Sequence, residues 1–484
     1  MQPEEREKRY LSLHERFSLM RRNTDFPSVI VIVIAYPKPA ALPSSSFLEK
    51  RIIELQEHFP LLCAQVKGEK TTRPYFQIRP DPWSASDILM HTTYTPGETK
   101  EEELENIFKD EPYHLATKDD FFDGPSWQVR THMHPTRSKT SRAYLTLAID
   151  HIYNDGKGAL LLLQNLLASD ISSLPYDKLS SIAALEDTLD MRPSLAYMLP
   201  LVFNKFLVPK LPLFIQTFLK PLPLWPHANI RCKPTSPECT PNQSLLCLSP
   251  DLIKSLKTVA KQRGVKTLHG VFKAAFVTGI WSVYRHTLHP FIVRAATPRS
   301  ERSLKLGHSA CTANYVSSCK LQFTLDSNTY FWELAKQISD DLLSPARMQQ
   351  GRMDMGMLRY LPNGQLYPDN NDPKRPTGWE KFMLDHVESD TPFTECLSLS
   401  NLGQTCLPAN AEDMIWSQEA SPYAPPFNAN LISHEGGFRM VTVWREGSAV
   451  IHEEVRQVEK VFEGLLWKLV DGQEDTTIFA LSRT

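Results

Sequence analysis

The sequence predicts a mixed α/β protein made of two halves with similar architecture. Three observations carry this. Strand-like and helix-like runs alternate through both halves. A proline-rich apolar stretch divides them. At 484 residues the chain is long enough for more than one hydrophobic core. The likeness between the halves is architectural, since no segment of sequence is repeated.

Taken in order, residues 4–22 read as a charged helix, and residues 28–37 (SVIVIVIAYP) as a β-branched strand. Residues 46–57 read as a helix with Leu48, Ile52, Ile53 and Leu55 on one side, running into His58-Phe59-Pro60-Leu61-Leu62. Strand-like segments lead through residues 126–130 to residues 144–149, where Leu145, Leu147 and Ile149 share a face. Residues 159–168 (ALLLLQNLLA) read as a strongly apolar helix. In the second half Ser249-Pro250-Asp251 starts a helix and Gly264 stops it. A longer helix is expected over 268–285, strands over 291–296 and 317–323, and a closing amphipathic helix over 453–470. These boundaries divide the chain into residues 1–192, a crossover at 193–226, and residues 227–484.

The crossover has seven prolines among large apolar residues, and its longest uncharged run, 194–204, is far below the ~18 residues of a membrane span. Two readings fit it: a strap packed across both halves, or a segment resting in a membrane interface with Lys205, Lys210 and Lys220 towards headgroups.

Hydrophobic residues at 42% and a net charge of -2 describe a folded protein without an electrostatic footprint for nucleic acid. The N-terminus lacks an apolar signal stretch, and the eight cysteines form no CxxC pair, so reduced thiols in the cytoplasm are expected. His132 and His134 find no completing metal ligands, and Asp119, Asp120 and Asp123 read as a solvated turn. His434-Glu435 and His452-Glu453 lack the second histidine of a zinc protease. No GxxxxGK[ST] loop, GxGxxG turn or GxSxG elbow occurs, which disfavours nucleotide enzymes and serine hydrolases.

The most informative stretch is His151-Ile152-Tyr153-Asn154-Asp155-Gly156, at a strand-to-helix junction. A histidine projected from a strand end into a protected space suits a general base near neutral pH. Asp155 suits a supporting role, holding the turn through hydrogen bonds or an ion pair. The same six residues also fit a capped helix start with a turn glycine and a half-buried histidine.

With these residues the chain resembles the fungal-type alcohol O-acetyltransferases, within the chloramphenicol acetyltransferase-like and condensation-domain superfamily. HxxxDG at His151, Asp155 and Gly156 is the central match. RYLSLHERFSLMRR followed by IVIAYP, and FLEKRIIELQEHFPLLCAQV, resemble that family's opening. Asn314-Tyr315-Val316-Ser317, Ser400-Asn401-Leu402-Gly403 and Trp416-Ser417-Gln418 resemble later segments, in the right order.

The resemblance implies two chloramphenicol acetyltransferase-like subdomains meeting at a channel. Acyl-CoA would enter from one mouth and the alcohol from the other, with His151 midway as general base. It implies that Asp155 pairs with an arginine, Arg299 or Arg302. It also supplies Ser400, Asn401, Ser417 and Asn314 as oxyanion or channel residues. The expected co-substrate is acetyl-CoA or another acyl-CoA, with no metal and no tightly bound cofactor. The expected partner is a small or lipophilic alcohol, in ester biosynthesis of secondary metabolism. A monomer is expected, with peripheral membrane or lipid-droplet contact through 193–226 left open. A condensation-type or N-acyltransferase using a carrier-protein thioester, and a catalytically idle binding module, are the alternatives.

Overall fold

Two sheets organise the molecule. The computed structural model describes residues 7–116, 123–136, 138–219, 222–302, 311–365, 374–471 and 476–482. The first sheet has five strands in the order Asp413–Gln418, Val29–Tyr36, Ala143–Asp150, Trp127–Met133 and Leu89–Thr93. The second has six: Val316–Leu325, Phe291–Ser300, Leu397–Gln404, Phe427–His434, Gly437–Arg445 and Pro241–Leu248. Both are mixed, since Leu89–Thr93 runs parallel to its neighbour and Leu397–Gln404 runs parallel to both of its neighbours. A small three-stranded sheet joins Lys8–Tyr10, Tyr75–Ile78 and Ala64–Lys67.

The unbroken apolar run of Val29–Tyr36 follows from burial of both sheet faces. Ile30, Ile32 and Ile34 pack with Leu145, Leu147 and Ile149 against the helices Ser45–His58 and Gly156–Leu167. Val29, Val31 and Val33 face the other way, against Leu104, Ile107 and Phe108 of the helix Lys100–Ala116. The second sheet buries its own core under Pro250–Gln262, Leu268–Tyr284, Phe331–Leu343 and His452–Val470.

Most expected elements appear close to their sequence boundaries. The opening helix does not. Residues 1–6 lie outside the described residues, Lys8–Tyr10 is a strand, and the helix runs only over Leu13–Asn23. Ser12 caps it: Ser12 Oγ accepts the Glu15 N–H, and the Glu15 carboxylate accepts the Ser12 N–H at 2.7 Å. The helix expected over 159–168 starts earlier, at Gly156, because Asp155 is its N-cap. Gly264 does end the Pro250–Gln262 helix, with a φ of +73° that suits glycine. Asp119 and Asp120 lie outside the described residues.

One strand crosses between the halves. Asp413–Gln418 leaves the second sheet and pairs antiparallel with Val29–Tyr36 at the edge of the first, Ser417 opposite Val31. The first sheet is therefore completed by the second half of the sequence.

Candidate active site

The Ala143–Asp150 strand stops one residue short of His151, which sits in the following turn with its N–H donating to Ser28 O at 2.9 Å. Asp150 pairs with Arg22, and its Oδ1 accepts the Ile152 N–H at 2.8 Å. Asn314 of the second half closes the loop. Its Nδ2 donates to the backbone carbonyls of His151 and Ile152, the latter at 3.0 Å. Its Oδ1 stands 3.2 Å from His151 Nδ1. An amide oxygen only accepts, so Nδ1 carries the proton and Nε2 keeps its lone pair. Among the described residues Nε2 has no hydrogen-bond partner. Burial, reinforced by the Arg21 guanidinium, lowers the His151 pKa to about 4. The ring is therefore neutral at physiological pH.

Asp155 borders the cavity beside His151, but its carboxylate is engaged by the loop and by Arg302. Oδ1 accepts the Gly158 N–H at 3.0 Å, and Oδ2 accepts the Tyr315 N–H at 2.9 Å and the Arg302 guanidinium. Arg302 also donates to Ala313 O at 2.8 Å, so the pair stitches the two halves together behind the histidine. Burial raises the Asp155 pKa, but the Arg302 charge and these hydrogen bonds more than offset it, and the net shift is downwards. Of the two arginines expected here, Arg302 makes the contact. Arg299 instead lies 3.6 Å from Glu301 and lines the open cavity. Gly156 is required by close approach: a Cβ there would stand 2.9 Å from the Trp416 ring.

A cavity of about 610 Å³ opens between the halves beside His151. The first half contributes His14, Phe17, Arg21, Gly156 and Lys157, and the second Arg299, Ser400, Asn401, Trp416 and Gln418. A second cavity of about 470 Å³ adjoins it and shares the walls formed by His14, Phe17 and the Lys320–Glu395 ion pair, whose atoms are 2.9 Å apart. This second space is the more apolar, lined by Met355, Leu358, Phe382, Met383, Val387 and Phe393.

The expected oxyanion residues divide. Ser400 and Asn401 reach the cavity. Asn401 Oδ1 accepts the Gly403 N–H at 2.8 Å, and among the described residues its Nδ2 is left without a partner. Ser400, Asn401 and Leu402 all line the same space, and the strand's register becomes irregular just beyond Asn401, before Gln404. Ser417 does not reach it. Strand alternation gives Trp416 and Gln418 to the cavity and turns Ser417 to the other face, fully buried. There it donates to Gln418 O and accepts Asn430 Nδ2 at 2.8 Å. Asn314 is also no oxyanion donor, because both amide hydrogens are spent on the histidine loop.

His14 is a site residue that the sequence reading missed. Its ring lies 5.5 Å from that of His151, centroid to centroid, and burial, with His151 next, lowers its pKa to about 3. The signal was present: His14, Phe17 and Arg21 follow at i, i+3 and i+7, one face of a helix, and all three line the cavity.

No family model matches the sequence, and no curated protein matches it. Solved structures do match along the whole chain. The condensation domain of the Monacolin K polyketide synthase MokA superposes with a TM-score of 0.64 at 10% identity, covering 98% of this chain and 99% of its own. The TRI3 trichothecene 15-O-acetyltransferase from Fusarium sporotrichioides gives 0.60 at 13% identity, covering 96% and 94%. The first condensation domain of the CDA synthetase gives 0.60 at 13%, covering 98% of each. The chain thus has the two-subdomain mixed α/β fold of condensation domains and of chloramphenicol acetyltransferase-like acetyltransferases.

Proposed function

We propose that the protein is an acyl-CoA-dependent O-acyltransferase that moves an acyl group, acetyl in the first instance, to the hydroxyl of an alcohol. The observation carrying this reading is a neutral His151, fixed at Nδ1 by Asn314, beside a cavity lined from both halves. His151 Nε2 takes the hydroxyl proton as the oxygen attacks the thioester carbonyl. Ser400 Oγ and Asn401 Nδ2 donate to the oxyanion of the tetrahedral intermediate. The carbon–sulfur bond then breaks, and the imidazolium returns its proton to the departing CoA thiolate. No covalent acyl-enzyme is needed, because both substrates are held together. Lys157 and Arg299 on the same cavity offer cations for the phosphates of CoA.

The likeness to condensation domains favours a second reading, in which the acyl group comes from a carrier-protein thioester or the acceptor is an amine. One experiment separates them: CoA-thiol release by purified protein from acetyl-CoA, with acceptors from ethanol to a sterol and a glycolipid. We expect acceptor-dependent release that His151→Ala lowers by ~10³-fold. Folded protein releasing no CoA with any acceptor would refute the proposal in favour of a carrier-bound donor or an idle module.

A further inference from the structure

We propose that residues 194–219 rest on an anionic membrane surface and that the apolar cavity beyond His14 draws its alcohol from that lipid. The inference builds on the acyltransferase reading and names its acceptor class: a lipophilic hydroxyl compound dissolved in a bilayer.

The surface is unusual for a soluble protein. The helices Leu195–Val202 and Leu213–Leu219 and the π-helical turn Phe203–Leu207 carry little buried surface. Leu213 is 80% exposed, Leu195 77% and Phe214 67%, and Leu199, Phe206 and Leu222 also stand in solvent. Scattered exposed apolar residues are ordinary, but such a run of large ones marks an interaction surface. Charge selects the occupant. No Asp or Glu occurs between Asp190 and Glu238, while lysines stand at 205, 210 and 220. A segment that is apolar and cationic in sequence and holds no acid fits anionic headgroups over an acyl layer. Among the described residues no helix is long and apolar enough to cross a membrane, so contact is by resting on the surface.

Position ties this surface to the site. Tyr197 Oη donates to Asp354 Oδ1, and the Ser194 N–H approaches Met353 Sδ at 3.5 Å. A Cβ on Gly356 would collide with Met191 O, so the start of the strap lies directly on the Pro345–Gly356 helix. Asp354 and Met355 of that helix wall the apolar cavity. The exposed strap and the apolar cavity therefore meet at one helix, and Asp354 touches both.

The test uses full-length protein with vesicles of phosphatidylcholine alone or with ~30% phosphatidylserine. The variant is L213D/F214D, which alters only exposed side chains. Wild type should sediment with the anionic vesicles, and less so at ~0.5 M salt. The variant should bind at least ~10-fold more weakly with an unchanged melting temperature. CoA release to a long-chain alcohol embedded in the vesicles should fall by a similar factor, while release to a short alcohol in buffer stays unchanged. Absence of wild-type binding, equal binding by the variant, or a lipid-indifferent dimer that the variant splits would each overturn the dock. No CoA release to either the short or the long-chain alcohol, with vesicle binding intact, would instead refute the acyltransferase reading and with it the delivery role.

Discussion

At His151 the chemistry depends on which nitrogen holds the proton, and one amide decides it. Replacing Asn314 by Ala removes the acceptor at Nδ1 and two donors to the loop carbonyls. We expect kcat to fall about 10²-fold with little change in acyl-CoA KM, measured by thiol release. Asn314→Asp puts an anion beside the ring, favours imidazolium and should move the acid limb of the rate profile to higher pH. In the wild type that limb should lie near pH 4, where His151 takes up its proton, with a flat profile from about pH 6 to 8. A wild-type limb near the ordinary histidine value would show that the ring is wetter than its burial indicates. HxxxDG identified this residue from sequence because three chemically special side chains sit at fixed spacing. His14 was not legible in the same way. Its helix face could be read, but what that face meets is set by folding of distant segments, among them Ser400 and Tyr423.

Among the elements, the Gly156–Leu167 helix is held at its start by a carboxylate serving three partners. Asp155→Asn keeps a cap acceptor for Gly158 but removes the counter-charge of Arg302, whose side chain is 10% exposed. We expect a loss of about 3–5 kcal/mol in unfolding free energy, read by denaturant titration, because an uncompensated guanidinium is left inside. Stability within ~0.5 kcal/mol of wild type would show that the pair adds nothing net. The helix and the strand before it were plain from sequence, since apolar periodicity is local. The opening helix was read too long because its charged flank was taken as helical while the Ser12–Glu15 capping box was passed over. The parity of Ser417 was lost for a related reason. A strand's face is fixed by register, and Trp416-Ser417-Gln418 shows no alternation strong enough to choose one.

Over the whole molecule, the crossing strand makes the halves interdependent. A fragment of residues 1–226 lacks Asp413–Gln418 and leaves the apolar Val29–Tyr36 strand as an open edge. Expressed alone it should aggregate, and co-expression with 227–484 should recover it in solution. A soluble, monomeric 1–226 would contradict this. Acid should act on both halves together. His14, His132, His151 and His269 have folded pKa values of about 3, 3, 4 and 3, below the ordinary 6.5. The unfolded chain therefore binds protons first, so the stability tied to these rings is full above pH 6.5 and drains as pH falls towards 4. The melting temperature should decline steadily across that window. The crossover's sequence left its setting open between packing and interface, because exposure cannot be read from composition. The Trp416 ring lies against Gly156, so a strand delivered by one half braces the loop of the other. A clamshell could swing wide to admit its cargo, but two leaves sewn through each other cannot part along the seam. On the proposed acyltransferase reading, what is acylated is then decided by what fits the fixed cavity beside His151.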